Sequence, residues 1–487
     1  VLCARLRALR VCQAESAAGP FGRSSDAVLR SAFVGLALVC AGVAQGSEPG
    51  TRSLDFRAAL QRLVSVNETL QASRAAVDQS RAERAEADAR GLPTIELKSR
   101  YSHLNAPLEA DVGGVVDAIS VGFQQLGVDV PGGILPREYR IQDRNFVNLS
   151  LRALQPVYLG GRIEAGRDAA RHGLAASEAA VDRQSAELEV SLVDRFFGQA
   201  LASESLEVRK RSAESLRRHE FNARRLEAEG QIARVERLRA SVALAEAENE
   251  LLVAQEQLAL SRAALAALLA SDRPVTTATP IPAPPPSVER DVWKAAAEDA
   301  NPALREAAQR LEQARAGVRA ARGESLPVVS LFGSRELYTE DLTLVDPEWV
   351  VGVQASWTLF DGGQRRARTT RAEARVSEVD RRLQAGRRDV ALLVDQQIDR
   401  LNGALARHRT LSATAELTDE SLRAQQRAFE EGFATSMDVI EAELARSRVA
   451  LGELAARRDA WVAAAALYTA AGRGEQLVDL IEQLADD

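Results

Sequence analysis

The sequence predicts an α+β membrane protein made of two copies of one unit, each a helix, a β-hairpin and a long helical hairpin. Three observations predict it. The chain repeats itself at a fixed offset, its helix-forming runs are far longer than a globular core needs, and its strand segments alternate apolar with polar residues. Composition points the same way: of 487 residues 4% are aromatic and one is Met, while Ala, Glu and Arg abound, a balance that favours long helices over a large compact core. The formal charge is −7 and no run of Lys or Arg is dense enough for a nucleic-acid face, so no nucleic-acid partner is expected.

The N-terminus carries an address. "SAFVGLALVCAGVA" (31–44) is a short apolar run after Arg30 that ends in small residues, the layout of a secretory signal peptide over 1–44 cleaved near Ala44. No other stretch approaches about 18 apolar residues, so no transmembrane helix is expected. The chain begins with Val and its Met is Met437; a GTG start at Val28 would give the compact signal "VLRSAFVGLALVCAGVAQG" and leave 1–27 untranslated. Cys3, Cys12 and Cys40 all precede the cleavage point, so the mature chain would hold neither a disulfide nor a Cys-based metal site. Acylation of Cys40 is the competing reading of this segment, against which "LALVC" places Val, not a small residue, before the Cys.

The duplication orders the rest. "VYLGGRIEAG" (157–166) resembles "LFDGGQRRAR" (359–368), and "AEGQIARVERLRA" (228–240) resembles "EEGFATSMDVIEA" (430–442), both at an offset of 202. Apolar positions keep that offset: Leu174 with Val376, Val181 with Leu383, Leu188 with Val390, Leu192 with Val394, Phe196 with Ile398. Upstream, "NETLQASRAAV" (67–77) pairs with "NPALREAAQRL" (301–311), and "GLP" (91–93) with "SLP" (325–327), at an offset of 234. The first repeat therefore carries 32 extra residues between its Pro and its Gly-Gly. The first repeat spans 51–270, a Pro-rich linker 271–288, the second repeat 289–472 and a C-terminal tail 473–487.

Each repeat reads alike. A helix of about 30 residues (55–90, 291–322) ends before Pro93 or Pro327. Strands follow at about 93–104 and 145–157, and again at about 327–339 and 348–360. Glycine pairs, Gly160-Gly161 and Gly362-Gly363, then turn each strand into a helical hairpin, 161–270 and 363–471, whose first arm runs nearly 70 residues to Gly230 or Gly432. At about 1.5 Å per residue such an arm reaches roughly 100 Å. Its heptad-like stripe, as in Leu174, Val181 and Leu188, needs partner helices, while its Arg- and Glu-rich faces can line water.

The strands have two different faces. In "EWVVGVQASWTLF" (348–360), Trp349, Val351, Val353, Ala355, Trp357 and Leu359 share one face, opposite Gly352, Gln354, Ser356 and Thr358. Val147, Leu149, Leu151 and Ala153 alternate with Asn148, Ser150 and Arg152; Ile95, Leu97 and Tyr101 alternate with Glu96, Lys98 and Arg100. A half-buried soluble sheet has the same period. Beside a signal peptide, a Cys-free mature chain and helices of this length, the pattern favours a bacterial outer-membrane barrel with lipid outside and water inside. Four strands can neither close a barrel nor leave their edges bare in lipid, so the chain should oligomerise; a trimer gives twelve strands. The extra residues, within 105–143, make a long loop expected outside the cell.

Over nearly its whole mature length the chain resembles the TolC-type outer-membrane efflux and secretion channels, in its duplication, the "LP" entry to each hairpin, the turns "LGGR" and "FDGG" and the Gly-containing tips. The resemblance implies a homotrimer, a twelve-stranded barrel in outer-membrane lipid continuous with a twelve-helix periplasmic coiled-coil tunnel. It also implies a passive exit duct for tripartite efflux or type I secretion, working with a periplasmic adaptor protein and an inner-membrane transporter of the RND, ABC or MFS type. By the same resemblance acidic residues of the second repeat narrow the periplasmic tip, here Asp438 and Glu441, which their spacing puts on one helical face. Crowded carboxylates raise one another's pKa, repel anions and attract cations. An ordinary helix start favoured by acids shows the same residues. The second acid is Glu where the family commonly has Asp, a basic residue that ties some members shut is Ala434 here, and the first repeat has Glu236 and Arg239 at the matching positions. Adaptor contacts map onto Gly230, Gln231, Gly432 and Phe433, with Phe433 either an apolar anchor or packed against its neighbouring helix.

Enzymatic readings find no constellation: His103, His172, His219 and His408 lack paired-ligand spacing and read as solvated or groove-facing, and the Gly-Gly turns lack a phosphate-loop Lys-Ser/Thr. No catalytic residue, cofactor or metal is expected. The reading from another class is a periplasmic coiled-coil scaffold without a pore.

Overall fold

In the computed structural model, which describes residues 52–128, 138–339 and 347–486, the two repeats follow the same order of elements. The segment expected to be a signal peptide and the three cysteines lie outside the described residues. The first repeat runs β1 (Arg52–Leu54), α1 (Phe56–Val66), α2 (Glu68–Ala89), β2 (Thr94–His103), β3 (Leu108–Asp111), α3 (Gly113–Gln125), β4 (Glu138–Gln142), β5 (Asn145–Tyr158), α4 (Arg162–Ala228) and α5 (Arg234–Leu268). After β6 (Val275–Thr277) come α6 (Arg290–Ala300), α7 (Pro302–Gly323), β7 (Val328–Thr339), β8 (Trp349–Ser356), α8 (Gln364–Glu430), α9 (Ser436–Ala470) and α10 (Gly474–Asp486).

Each 30-residue helix expected at the head of a repeat is a pair, because an asparagine stops one helix and caps the next. Asn67 Oδ1 accepts the Leu70 N–H at 3.2 Å, and Asn301 Oδ1 accepts those of Ala303 and Leu304 at 3.0 and 3.3 Å, with Pro302 opening α7. The spare amides tie the joint to the end of each return helix: Asn67 Nδ2 donates to Leu268 O at 3.3 Å, and Asn301 Nδ2 to Ala470 O at 3.1 Å.

The arms α4 and α8, 67 residues each, extend about 100 Å. α4 packs on α2, α5, α7 and α9, and α7 bridges α4 to α8. By length and composition α5 could cross a membrane, against the expectation that no helix would. Ala and Leu raise its hydropathy, but it lies along α4 as the return of a hairpin. Midway along α4 sits the main core. Phe196 and Phe197 meet Phe56 at ring distances of 5.3 and 5.9 Å, and Phe197 meets Trp461 at 5.9 Å. The segments read as the Pro-rich linker and the C-terminal tail complete this core. The linker pairs β6 with β1 and buries Val275 and Ile281, while the tail is α10, burying Leu477, Val478 and Ile481. Their apolar residues are few and become buried by tertiary contact, β6 against β1, α4 and α5 and α10 against α1 and α9, which a local pattern does not reveal.

The strands form one antiparallel sheet in the order β2-β5-β7-β8. Its register aligns Leu97 with Leu151 and Leu331 with Val353, against Glu96 with Arg152 and Ser330 with Gln354, so the faces are those expected from period two. The apolar face is bare: Ile95, Leu97, Tyr101, Trp349, Val351 and Val353 are each more than 60% exposed. On the polar face Gly352 leaves room for the Phe332 ring, which an added Cβ would meet at 2.8 Å. β8 stops at Ser356, four residues short of the expected end. Its partner β7 begins at Val328, directly after Pro327, which has no N–H to extend the ladder, and the Trp357 indole instead donates to Ser325 O at 3.1 Å. The long loop in the first repeat is a β3–β4 ribbon that carries the exposed helix α3.

Candidate functional site

The far ends of the helical hairpins, where the sequence places its candidate residues, are built by two glycines. Gly230 (φ +73°) and Gly432 (φ +78°) are left-handed with open space around them, so backbone conformation rather than crowding selects Gly. Beyond them Gln231 N–H returns to Leu226 O at 2.9 Å and Phe433 N–H to Ala428 O at 2.7 Å, closing the last turns of α4 and α8. The two tips stand at one level: Ala223 and Leu226 of α4, Ala240 of α5, Leu422 and Phe429 of α8 and Val439 of α9 form one apolar cluster, and Asn222 Nδ2 donates to Glu430 Oε1 at 3.0 Å. Gly230, Gln231 and Gly432 are exposed, and the Phe433 side chain, 84% exposed, is not packed into the bundle.

The helix starts that follow are unequal. Thr435 caps α9 reciprocally: its Oγ1 accepts the Asp438 N–H at 3.4 Å, while an Asp438 carboxylate oxygen accepts Thr435 N–H and Oγ1–H at 2.7 and 2.6 Å. Within one chain these bonds from the Thr435 hydroxyl and N–H hold the Asp438 carboxyl below its ordinary pKa. Glu441, one turn on, is exposed and makes no ion pair among the described residues. The two share a helical face, but the Asp438 carboxylate is turned to its cap. In the first repeat Ala233 stands where Thr435 would, so α5 has no side-chain cap. Glu236, the counterpart of Asp438, reaches across to accept Ser436 N–H at 2.9 Å, capping α9 from the other hairpin.

Of the four histidines expected to be solvated or groove-facing, His219 is buried, 5% exposed between the hairpins. Its burial pushes its pKa down to about 4, against a smaller upward pull from Glu236. His172 is half-buried on Gln309 at 2.8 Å, and His103 is exposed beside Asn145 at 2.6 Å. Sequence reasoning missed His219, Thr435 and Ser436; the signals were a Thr three residues before Asp438 and a His on the stripe of Leu216, Ala223 and Leu226.

At the opposite end the strand-to-helix turns are left-handed too: Gly160 +65°, Gly161 +76°, Gly362 +66° and Gly363 +88°. A Cβ on Gly160 would overlap the carbonyl oxygen of Gly323 at the end of α7. No cluster of three or more His, Cys, Asp or Glu suited to a metal ion occurs among the described residues.

A family model for outer membrane efflux proteins matches residues 59–271 and 294–473. No curated protein sequence matches the chain. Among solved structures, the outer membrane protein VceC of Vibrio cholerae superposes with a TM-score of 0.68 at 18% identity, over 86% of this chain and 96% of that one. The MtrE outer membrane channel of Neisseria gonorrhoeae, in its open state, gives 0.65 at 20% identity over 86% and 89%. The CmeC outer membrane channel of Campylobacter jejuni gives 0.65 at 14% over 91% and 94%. At such identities the structural likeness is one of fold, but the family match follows both repeats and covers most of the chain. The chain belongs to the outer membrane efflux protein family, and is an outer-membrane channel reaching into the periplasm rather than an enzyme.

Proposed function

We propose that three copies of this chain close a twelve-stranded barrel in the outer membrane, continued by a twelve-helix tunnel, as the passive exit duct of a tripartite efflux or type I secretion system. The observation that carries this reading is the four-stranded sheet, bare on its apolar face and ending in two edge strands, β2 and β8, whose outer sides have no strand partner among the described residues. In lipid, unpaired N–H and C=O groups cost several kcal/mol each, so the edges need partners, and identical copies supply them. An inner-membrane transporter of the RND, ABC or MFS type would supply the energy through a periplasmic adaptor. Gly230, Gln231, Gly432 and Phe433 are exposed as such docking requires, and Glu441 with Asp438 forms the aperture. Conductance in planar bilayers tests the duct. The full protein should give cation-selective channels whose selectivity falls in Asp438→Ala/Glu441→Ala. Absence of any channel, together with a soluble periplasmic product on fractionation, would favour a scaffold without a pore.

A further inference from the structure

His219 lies where both hairpins meet. Its ring meets the Phe429 ring of α8 at 4.6 Å between centroids and 61° between planes, and its Nε2 is hydrogen-bonded to Ser436 Oγ of α9 at 2.7 Å. Ser436 is fully buried, and its own N–H is held by Glu236 of α5. One imidazole on α4 therefore closes a contact that runs through all four tip helices, two to three turns before the Gly230 turn.

Several charged groups at this level are already engaged; Glu441, exposed on α9, makes no ion pair among the described residues, and Oε2 of the buried Glu443 has no hydrogen-bond partner there. On α4 Glu220 pairs with Arg224 at 2.7 Å, on α5 Glu236 pairs with Arg239 at 3.0 Å, and at the end of α8 Glu430 is held by Asn222. On α9 Asp438 is bound by Thr435, and the buried Glu443 pairs with Arg446 at 2.8 Å. Glu236 favours a charged ring, but the apolar wall of Phe429 and the loss of water outweigh it.

We propose that His219 is a proton-operated latch on the tip: neutral, it seals α4 against α8 and α9, and on protonation the two hairpins part. The proposal rests on the duct reading, because parting the hairpins matters only if the tip is an aperture. The sign follows from linkage. A released, hydrated imidazole titrates near 6.5, above the buried ring, so the open state binds more protons. The sealed tip is thus fully favoured above about pH 6.5 and loses its advantage as pH falls from there toward about 4, by up to about tenfold per pH unit.

The cysteines of the sequence fall at positions 3, 12 and 40, so in the full protein with those three replaced by Ser, Gln231→Cys and Phe433→Cys give a spin-label pair across the tips. In reconstituted protein, lowering pH from 7.5 to 5 should raise the widely separated population on the order of tenfold. His219→Gln, which keeps a hydrogen-bonding side chain but does not titrate, should abolish the change. Ser436→Ala, which leaves the ring in place but removes its partner, should move the midpoint to higher pH. A wild-type distance unmoved by pH, a His219→Gln response like the wild type, or an unmoved Ser436→Ala midpoint overturns the latch. Conductance recorded in parallel separates the two readings: channels without a pH-dependent tip distance defeat the latch alone, and failure to conduct at any pH in any variant defeats the duct.

Discussion

Asp438 and Glu441 stand three residues apart at the start of α9, and the chemistry available to each differs. The Asp438 carboxylate is committed to Thr435, so its folded pKa is depressed. Its contribution to the cap is therefore present above the unfolded value near 4 and is lost as pH falls through the lower folded value. Thr435→Ala should cost about 1 kcal/mol in unfolding experiments at neutral pH. Glu441 is exposed and makes no ion pair among the described residues, so Glu441→Gln should leave unfolding unchanged and lower cation selectivity in bilayers; unchanged selectivity would remove it from the proposed aperture. Spacing alone placed both acids on one face, and Thr-x-x-Asp in the sequence already spelled out the cap. His219 was harder to read. Arg218 and Glu220 beside it suggest a solvated face, while the group that buries it includes Ser436, 217 residues away.

At the scale of elements, the duplication makes each joint appear twice and so exposes which residues it needs. Asn67 and Asn301 cap a helix and hold a return-helix carbonyl in both repeats, a pairing already present in "NETL" and "NPAL" although the surrounding run looks like unbroken helix. Asn301 is the more buried of the two, so Asn301→Ala should destabilise by about 1–2 kcal/mol and Asn67→Ala by less, measured as shifts in the unfolding midpoint. The glycine pairs divide similarly. Gly161 needs only its left-handed backbone, worth about 1–2 kcal/mol against Ala, whereas Gly160 also abuts the Gly323 carbonyl. Melting temperatures should therefore fall in the order wild type, Gly161→Ala, Gly160→Ala; an inverted order would mean that the α7 end moves freely. What local patterns hid were the linker strand β6 and helix α10, short segments ordered by a core to which β1, α1 and α4, remote in sequence, contribute.

At the scale of the whole molecule, the strand period carried the most information, because side chains two apart share a face whatever the sheet packs against. It could not say what covers that face. The structure leaves the face bare along β2 and β8 and both edges open, which is consistent with lipid on one side and further copies at the edges. Neighbouring residues on β8 can separate this from a half-buried soluble sheet. Val353 is on the apolar face and 67% exposed, and Gln354 is on the opposite face, paired with Ser330. Facing lipid near the bilayer centre, an arginine costs about 2–4 kcal/mol; facing a water-filled lumen it costs little. Val353→Arg should therefore lower the amount of oligomer recovered from outer membranes on gels of unheated samples, and Gln354→Arg should leave that amount unchanged while altering ion selectivity. Equal tolerance of both substitutions would mean that Val353 faces water, and the barrel proposed for three copies of this sheet would fall with it.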